Sequence, residues 1–272
     1  MAAVSGLIRV MEKAARKAGG KLRRDFGEVA HLQVSQKGPA DFVSKADLRS
    51  ERTLYDELRT ARPGWGFVME EAGVIEGDPD APRWIIDPLD GTSNFLHGIP
   101  HFAISIAAQE RTLDGKGWGD VVAGVIYNPI TDETFWAEKS RGAWLHDGRL
   151  RVSGRRNLGE ALIATGIPYG GHGDFGEWAR IFGAIGPQVA GIRRFGAASL
   201  DLAWVAAGRF DGFWESDLAD WDTAAGVLIV REAGGFVSDF RGRSSALHSK
   251  QVLAANDALH SRLHKLLAGS LK

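Results

Sequence analysis

An apolar run, Trp84-Ile85-Ile86, ends in Asp87-Pro88-Leu89-Asp90 and passes directly into Gly91-Thr92-Ser93-Asn94-Phe95. No other stretch constrains the fold as tightly. The apolar strand runs into two acids three apart, and Asp87 closes it. Proline stiffens the turn and removes an N–H. Glycine permits close backbone approach, and Thr92 to Phe95 suit a helix start. The order therefore sets a cation site beside amides that favour phosphate oxygens. Far downstream, Trp221-Asp222-Thr223-Ala224-Ala225-Gly226 places one more acid at the head of an apolar helix, and Glu70-Glu71 closes another short apolar strand.

The chain has 272 residues, enough for one large domain or two modest ones. A first amphipathic helix is expected over 3–30, from the spacing of Leu7, Met11, Ala14, Ala15, Leu22, Phe26 and Val29, with a bend at Gly19-Gly20. A second spans about 45–60 and ends at Pro63-Gly64. Short strands are expected at 66–70, 84–87, 102–109, 121–127 and 134–137, forming an antiparallel sheet. Residues 147–160 are polar and turn-rich, which places a domain boundary near 152. Beyond it, strands at 161–165, 191–195, 210–215, 236–238 and 252–255 alternate with helices at 175–185, 199–207, 222–233 and 257–267. Such alternation implies an α/β layer.

Composition excludes several classes. There is no cysteine, so disulfides, thiolate-bound zinc and a cysteine nucleophile are ruled out. That fits a reducing cytoplasm. A formal net charge of −1 and a pI near 6.7 argue against broad nucleic-acid binding. Lys13, Arg16, Lys17, Lys21, Arg23 and Arg24 cluster on the first helix and read as a solvated face. No secretory leader and no bilayer-spanning run is expected.

The acids carry the chemistry. Hard divalent cations such as Mg²⁺ take several oxygen ligands. Asp87, Asp90, Glu70 and Asp222, with the Leu89 carbonyl, make such a set, whereas four ionised acids without cations repel one another. Read singly, Asp87 and Asp90 would only cap a turn. Other motifs are weaker. Asp87-x-x-Asp90-Gly-Thr differs by one residue from the Asp-x-Asp-Gly-Thr nucleophile motif of haloacid dehalogenase-like phosphatases, and strand residues three apart do not share a face. Gly171-His172-Gly173-Asp174-Phe175-Gly176 has dinucleotide-loop spacing, but Arg193-Arg194 stands where that loop's distal acid belongs. His97 and His101 are separated by helix-breaking Gly98 and Pro100. Ser44, Ser105 and Ser199 lack a nucleophile-elbow context. Asp217 and Asp220 read as surface turn residues.

With these segments in hand, the chain resembles the inositol monophosphatase family. The resemblance is carried by Asp87 through Phe95, by Trp221 through Gly226 with Glu232-Ala233-Gly234-Gly235, by Pro39 through Val43 with Asp47, and by Glu70-Glu71. It covers essentially the whole chain. It implies an α/β (α+β) fold, a layered α-β-α-β-α sandwich of the sugar-phosphatase type. An N-terminal half, 1–152, carries metal and phosphate; a C-terminal half, 153–272, carries substrate. It implies that Glu70, Asp87 and the Leu89 carbonyl hold a first Mg²⁺, and that Asp87, Asp90 and Asp222 hold a second. Some relatives use a third ion. Thr92, bonded to Asp47, would help Glu70 activate water. Asp90, Gly91, Thr92 and Ser93 would face the phosphate; Gly196, Ala198 and Glu215 would face the alcohol. The implied reaction is hydrolysis of myo-inositol 1-phosphate. Relatives act instead on fructose 1,6-bisphosphate, adenosine 3′,5′-bisphosphate or histidinol phosphate, or serve the transcription machinery. Lithium inhibition, a homodimer and a cytoplasmic location are implied as well.

Overall fold

The computed structural model describes residues 4–28, 34–38, 41–168, 173–244 and 246–271. The first part of the chain runs through α1 (Gly6–Phe26), β1 (Val34–Gly38), β2 (Asp41–Ser44), α2 (Lys45–Ala61), β3 (Gly66–Met69), β4 (Gly73–Ile75), β5 (Arg83–Asp90) and α3 (Thr92–Leu96). It continues through β6 (Ala103–Arg111), β7 (Trp118–Asn128), β8 (Glu133–Glu138), β9 (Ala143–Leu145) and β10 (Gly148–Arg149). The second part contains β11 (Leu162–Thr165), α4 (Phe175–Ile185), β12 (Gly191–Arg193), α5 (Ala198–Ala206) and β13 (Gly212–Ser216). It ends with α6 (Asp220–Glu232), β14 (Phe236–Ser238), α7 (Ala246–Ser249), β15 (Gln251–Ala255) and α8 (Asp257–Ser270).

Alternation along the strands sorts side chains into separate cores. Trp84 and Ile86 of β5 face α1 and α2, where they pack with Ile8, Met11, Leu22, Leu54 and Leu58. Ile85, between them, faces the other way, into a core shared with Leu200 and Ala203 of α5, Val227 and Ile229 of α6, and Phe213 and Ala254 of the second sheet. Trp214, the neighbour of Phe213, turns outward to Ile181 of α4 and to Leu259 and Leu263 of α8. The layers are thus α1/α2, first sheet, α5/α6, second sheet, α4/α8, as the resemblance implies.

The first sheet has the order β10-β9-β8-β7-β6-β5-β3-β4. It is antiparallel except that β3 and β5 run parallel. That exception to the expected antiparallel sheet has a simple cause. β4 pairs back on β3 at the sheet edge, and the chain then crosses behind it to re-enter in the β3 direction. The second sheet, β12-β11-β13-β15-β14, is mixed, with parallel pairs around β11 and antiparallel pairs around β15. The β1–β2 hairpin, β4, β9, β10 and α7 were not foreseen; all are short. Val29, Pro39 and Ala40 lie outside the described residues.

One expectation about α1 changes. The helix runs unbroken through Gly19-Gly20. Gly19 is there for close approach, not for a bend: a Cβ on it would lie 2.6 Å from the Tyr127 ring. The basic face is largely solvated, as expected, with Lys13, Lys17, Arg23 and Arg24 exposed. Lys13 pairs with Glu57 at 3.3 Å, Arg16 with Asp132 at 2.6 Å, and Lys21 donates to Thr53 at 2.9 Å. These bonds dock α1 on α2 and on the loop after β7.

Close backbone contact also seats α6. A Cβ on Gly124 of β7 would lie 3.0 Å from Ala225 Cα, and one on Gly226 would lie 2.6 Å from the Leu202 side chain. The two α1 glycines separate packing from propensity. Gly19→Val is expected to destabilise by about 1–3 kcal/mol, as overpacking does. Gly20→Ala, where nothing lies within 4 Å of the added carbon, should stabilise by about 0.5–1 kcal/mol. Urea unfolding of both variants checks this; equal effects would discard the packing account.

Candidate active site

The spacing Asp87-x-x-Asp90 would put two strand side chains on opposite faces. A β-bulge removes the difficulty. Asp87 pairs with Ser105 and Asp90 with Ala103, so Pro88 and Leu89 together oppose the single residue Ile104. One extra residue restores the face, and proline, with no N–H to pair, suits the place. The bulge is pinned from both sides. Leu89 N–H donates to Asp87 Oδ1 at 2.9 Å, and Ser50 Oγ donates to the Pro88 carbonyl at 2.8 Å. The chain leaves through Gly91, whose φ of +93° favours glycine and whose Cβ would lie 3.1 Å from the His101 carbonyl. α3 begins there. Thr92 Oγ1 lies 2.9 Å from Asp47 Oδ1 and 3.1 Å from the Leu89 carbonyl, both acceptors for its one proton. Asp47 is fully buried.

The remaining acids arrive from other layers. Glu70 follows β3, which lies beside β5. Asp222 stands in the first turn of α6, where its Oδ2 accepts from Ala219 N–H at 2.7 Å. Asp90 reaches the start of α5: its Oδ2 accepts the Ser199 amide at 2.8 Å and also the Ser199 hydroxyl. A carboxylate at a helix start is favoured by the unpaired amides there. Asn94 of α3 completes the join, donating to the carbonyls of His101 at 2.8 Å and Phe195 at 2.7 Å.

These contacts frame one cavity of 300 Å³. Glu70, Asp87, Leu89, Asp90 and Asp222 form one side, Gly91, Thr92 and Ser93 the floor, and Arg194, Gly196, Ala198, Glu215 and Trp178 the far side. Glu215 packs on bare backbone, since a Cβ on Gly166 would lie 1.8 Å from its Oε1.

Crowding shows in the acids' protonation. Burial pushes Asp87 well above the usual carboxylate range; Glu70, Asp90 and Asp222 push it further, against the Leu89 amide. Asp222 is raised well above its usual value by burial and by Asp90. Asp90 is raised by burial, with the Ser199 hydrogen bonds opposing. Burial pushes Glu215 up to about 8, with Asp90 adding and Arg194 opposing. Mutual repulsion of this kind is relieved by a cation. The donors are all oxygen, which suits a hard divalent ion. Among the described residues, no three histidine or acidic side chains already close on one point as a ready cage. Asp90 and Asp222 each lend one oxygen to a backbone amide.

All the site residues named from the sequence other than Asp47 line this cavity, and Asp47 sits behind Thr92. Asp217, read as a surface residue, also lines it, with a φ of +65°; Asp220 opens α6 instead. His97 Nδ1 lies 2.8 Å from the Ser93 carbonyl. Burial lowers the His101 imidazole to about 4, and its ring packs 4.9 Å from Phe195 and 5.1 Å from Trp204. Gly171 and His172 lie outside the described residues. Sequence reasoning missed Ser199 as the partner of Asp90, and Arg194 and Trp178 as cavity walls. It also missed Asp201, a buried acid raised well above its usual range by burial and by Glu215. The polar positions in the otherwise apolar Ser199–Ala207 helix were the available signal for Ser199 and Asp201.

A model of the inositol monophosphatase family matches residues 4–272. Inositol-1-monophosphatase of Caulobacter vibrioides is 52% identical over 255 residues, covering 93% of this chain and 97% of that one. Nus factor SuhB of Escherichia coli is 40% identical over 250 residues, covering 92% and 91%. Among solved structures, extragenic suppressor protein suhB from Bartonella henselae superposes with a TM-score of 0.91 at 51% identity, covering 97% and 98%. An IMPase from Thermotoga maritima gives 0.84 at 34% identity, covering 95% of each chain.

Glu215 gives the pH test. Its folded value of about 8 exceeds the ordinary 4.5, so the folded chain keeps a proton that the unfolded chain releases between those values. Stability from this source is fully present below the ordinary value and is lost as pH rises through the folded one. In chelator, the thermal midpoint should fall across this window, and Glu215→Gln should flatten the fall. An equally steep fall in the variant would remove Glu215 as a source.

Proposed function

We propose that this chain, which belongs to the inositol monophosphatase family, is a divalent-cation-dependent phosphomonoesterase acting on myo-inositol 1-phosphate. The observation that carries the reading is the convergence of Glu70, Asp87, Asp90 and Asp222, from separate segments, on one cavity with Thr92 and Glu215. The names of relatives about half identical to this chain support the substrate.

In this reading Glu70, Asp87, the Leu89 carbonyl, Asp90 and Asp222 would hold the Mg²⁺ ions. Bound there, the cations supply positive charge that acidifies water and stabilises the leaving oxygen. The protein does the rest by placement. Gly91, Thr92 and Ser93 offer amides to the phosphate. With its proton given to Asp47 or Leu89, Thr92 Oγ1 keeps lone pairs to accept a hydrogen from the attacking water, and Glu70 takes the other. Attack is in line, and charge stabilisation supplies most of the acceleration. Glu215, Gly196 and Ala198 face the polyol hydroxyls. Residues 1–152 then provide the phosphate side and 153–272 most of the alcohol side. A homodimer, lithium sensitivity and a cytoplasmic location belong to the same proposal. No helix among the described residues is long and apolar enough to cross a membrane.

The relatives named Nus factor SuhB favour a second reading, a contact with the transcription machinery. A pull-down with RNA polymerase tests it. Retention by wild type and by Asp90→Asn alike supports a role separate from catalysis, and no retention removes it.

Asp90→Asn keeps an oxygen for the Ser199 amide while losing the charge. It is expected to lower turnover by at least about 10²-fold with the fold intact, the scale of one lost electrostatic stabiliser. Phosphate release at saturating Mg²⁺ measures this, and undiminished turnover would overturn the assignment. Substrate is tested by phosphate release from inositol 1-phosphate, fructose 1,6-bisphosphate, adenosine 3′,5′-bisphosphate and histidinol phosphate, with and without lithium. The inositol ester should be fastest, and another ester turned over faster would replace it.

A further inference from the structure

A second cavity, of 620 Å³, lies among α4, α8 and the turn between β14 and α7. It shares no lining residue with the catalytic one. Arg241, Arg243, His264, Ser249, Gln251 and Glu177 supply its polar wall. None has a part in the reaction proposed above.

The turn is a built feature. Asp239, fully buried, accepts the amides of Arg241 and Arg243 at 2.9 Å each on Oδ1 and Arg243 Nε at 2.7 Å on Oδ2. Its carboxylate is thereby engaged inside the turn, and the terminal nitrogens of Arg243 remain free to bind. The Arg241 guanidinium makes no hydrogen bond or ion pair among the described residues. Gly242, with a φ of +80°, lets the turn close on α8, where a Cβ would lie 2.9 Å from His264 Nε2. That nitrogen is buried and has no hydrogen-bond partner among the described residues. A buried polar atom left unpaired is costly, and a native structure seldom keeps one without reason.

We propose that this cavity is a second binding site, for the phosphoryl group of a small hydroxylated phosphate compound. Two guanidinium groups from the turn and an imidazole nitrogen from α8 border it. A planar carboxylate has two oxygens to share among them; a phosphoryl group has three, and guanidinium forks match it. Glu177 would repel a bare polyanion but accepts a hydroxyl, which selects an ester over a polyphosphate. The site also has a route to the catalytic cavity. Glu177 adjoins Trp178 in α4, and Gln251 pairs with Ser216 in the β13–β15 ladder; Trp178 and Ser216 both line the catalytic side.

The test is calorimetric titration of the full chain with inorganic phosphate in chelator, where the acidic catalytic cavity has no cation to attract an anion. Saturable binding at one site is expected. Arg241→Ala, at an exposed side chain whose guanidinium is unpaired, should weaken it about tenfold or more, as loss of one charge-assisted contact does. His264→Gln should weaken it as well, and Asp87→Asn should leave it unchanged. Glycerol 3-phosphate should bind more tightly than phosphate, and glycerol alone should not bind. Absence of saturable binding, indifference to both Arg241→Ala and His264→Gln, or loss of binding in Asp87→Asn would each overturn the proposal.

Discussion

One carboxylate joins the two parts of this molecule. Asp90 ends the bulge of β5 and reaches the amide and hydroxyl of Ser199, more than a hundred residues away, at the start of α5. The bond does structural and electrostatic work together. It satisfies a helix-start amide, and it holds an acid in a buried place where Asp87 and Asp222 also stand. Without such donors an acid so placed would protonate or move out to water. Asn94 and Gly91 lock the same corner, so the loop at 195–198 that forms the far side of the cavity is carried by residues of the near side.

The site is therefore a compromise between folding and chemistry. Each acid raised above its usual range is a load on the folded chain at neutral pH. The load is concentrated at one cavity and is carried by the apolar layers around it. Trp84 and Ile86 press against α1 and α2, Ile85 and Phe213 against α5 and α6, and Trp214 against α4 and α8. A crowded acidic cavity inside an otherwise well-packed sandwich suits a divalent cation, whose charge would relieve the mutual repulsion of the acids.

Much of this was legible in the residues. Apolar strands that end in acid marked Glu70, Asp87 and Asp90, and an acid heading an apolar helix marked Asp222. What pattern could not reach was pairing. Strand geometry says that residues three apart face opposite ways, and the bulge that overrides it depends on Pro88 and Leu89 facing Ile104 alone, a fact of register with β6. The parallel β3–β5 pair was hidden for the same reason. Gly19-Gly20 looked like a break because propensity speaks for isolated helices; here Tyr127 needs the space. Short strands such as β4 and β9 carry too few residues for a period to show. Ser199 and Asp201 sat in plain view in an apolar helix, but only the fold says which acids they meet.

α6 touches both sheets and carries Asp222, and two glycines let it settle closely: Gly124 of β7 against the Ala225 backbone, and Gly226 against the Leu202 side chain of α5. A helix seated so closely on β7 has little slack there. Any widening or narrowing of the gap between the sheets must be passed on, nearly undiminished, to the distance between Asp222 and Asp87. The helix would thus work as a calliper for any cation held there, tying the size the cavity takes to the spacing of the two sheets.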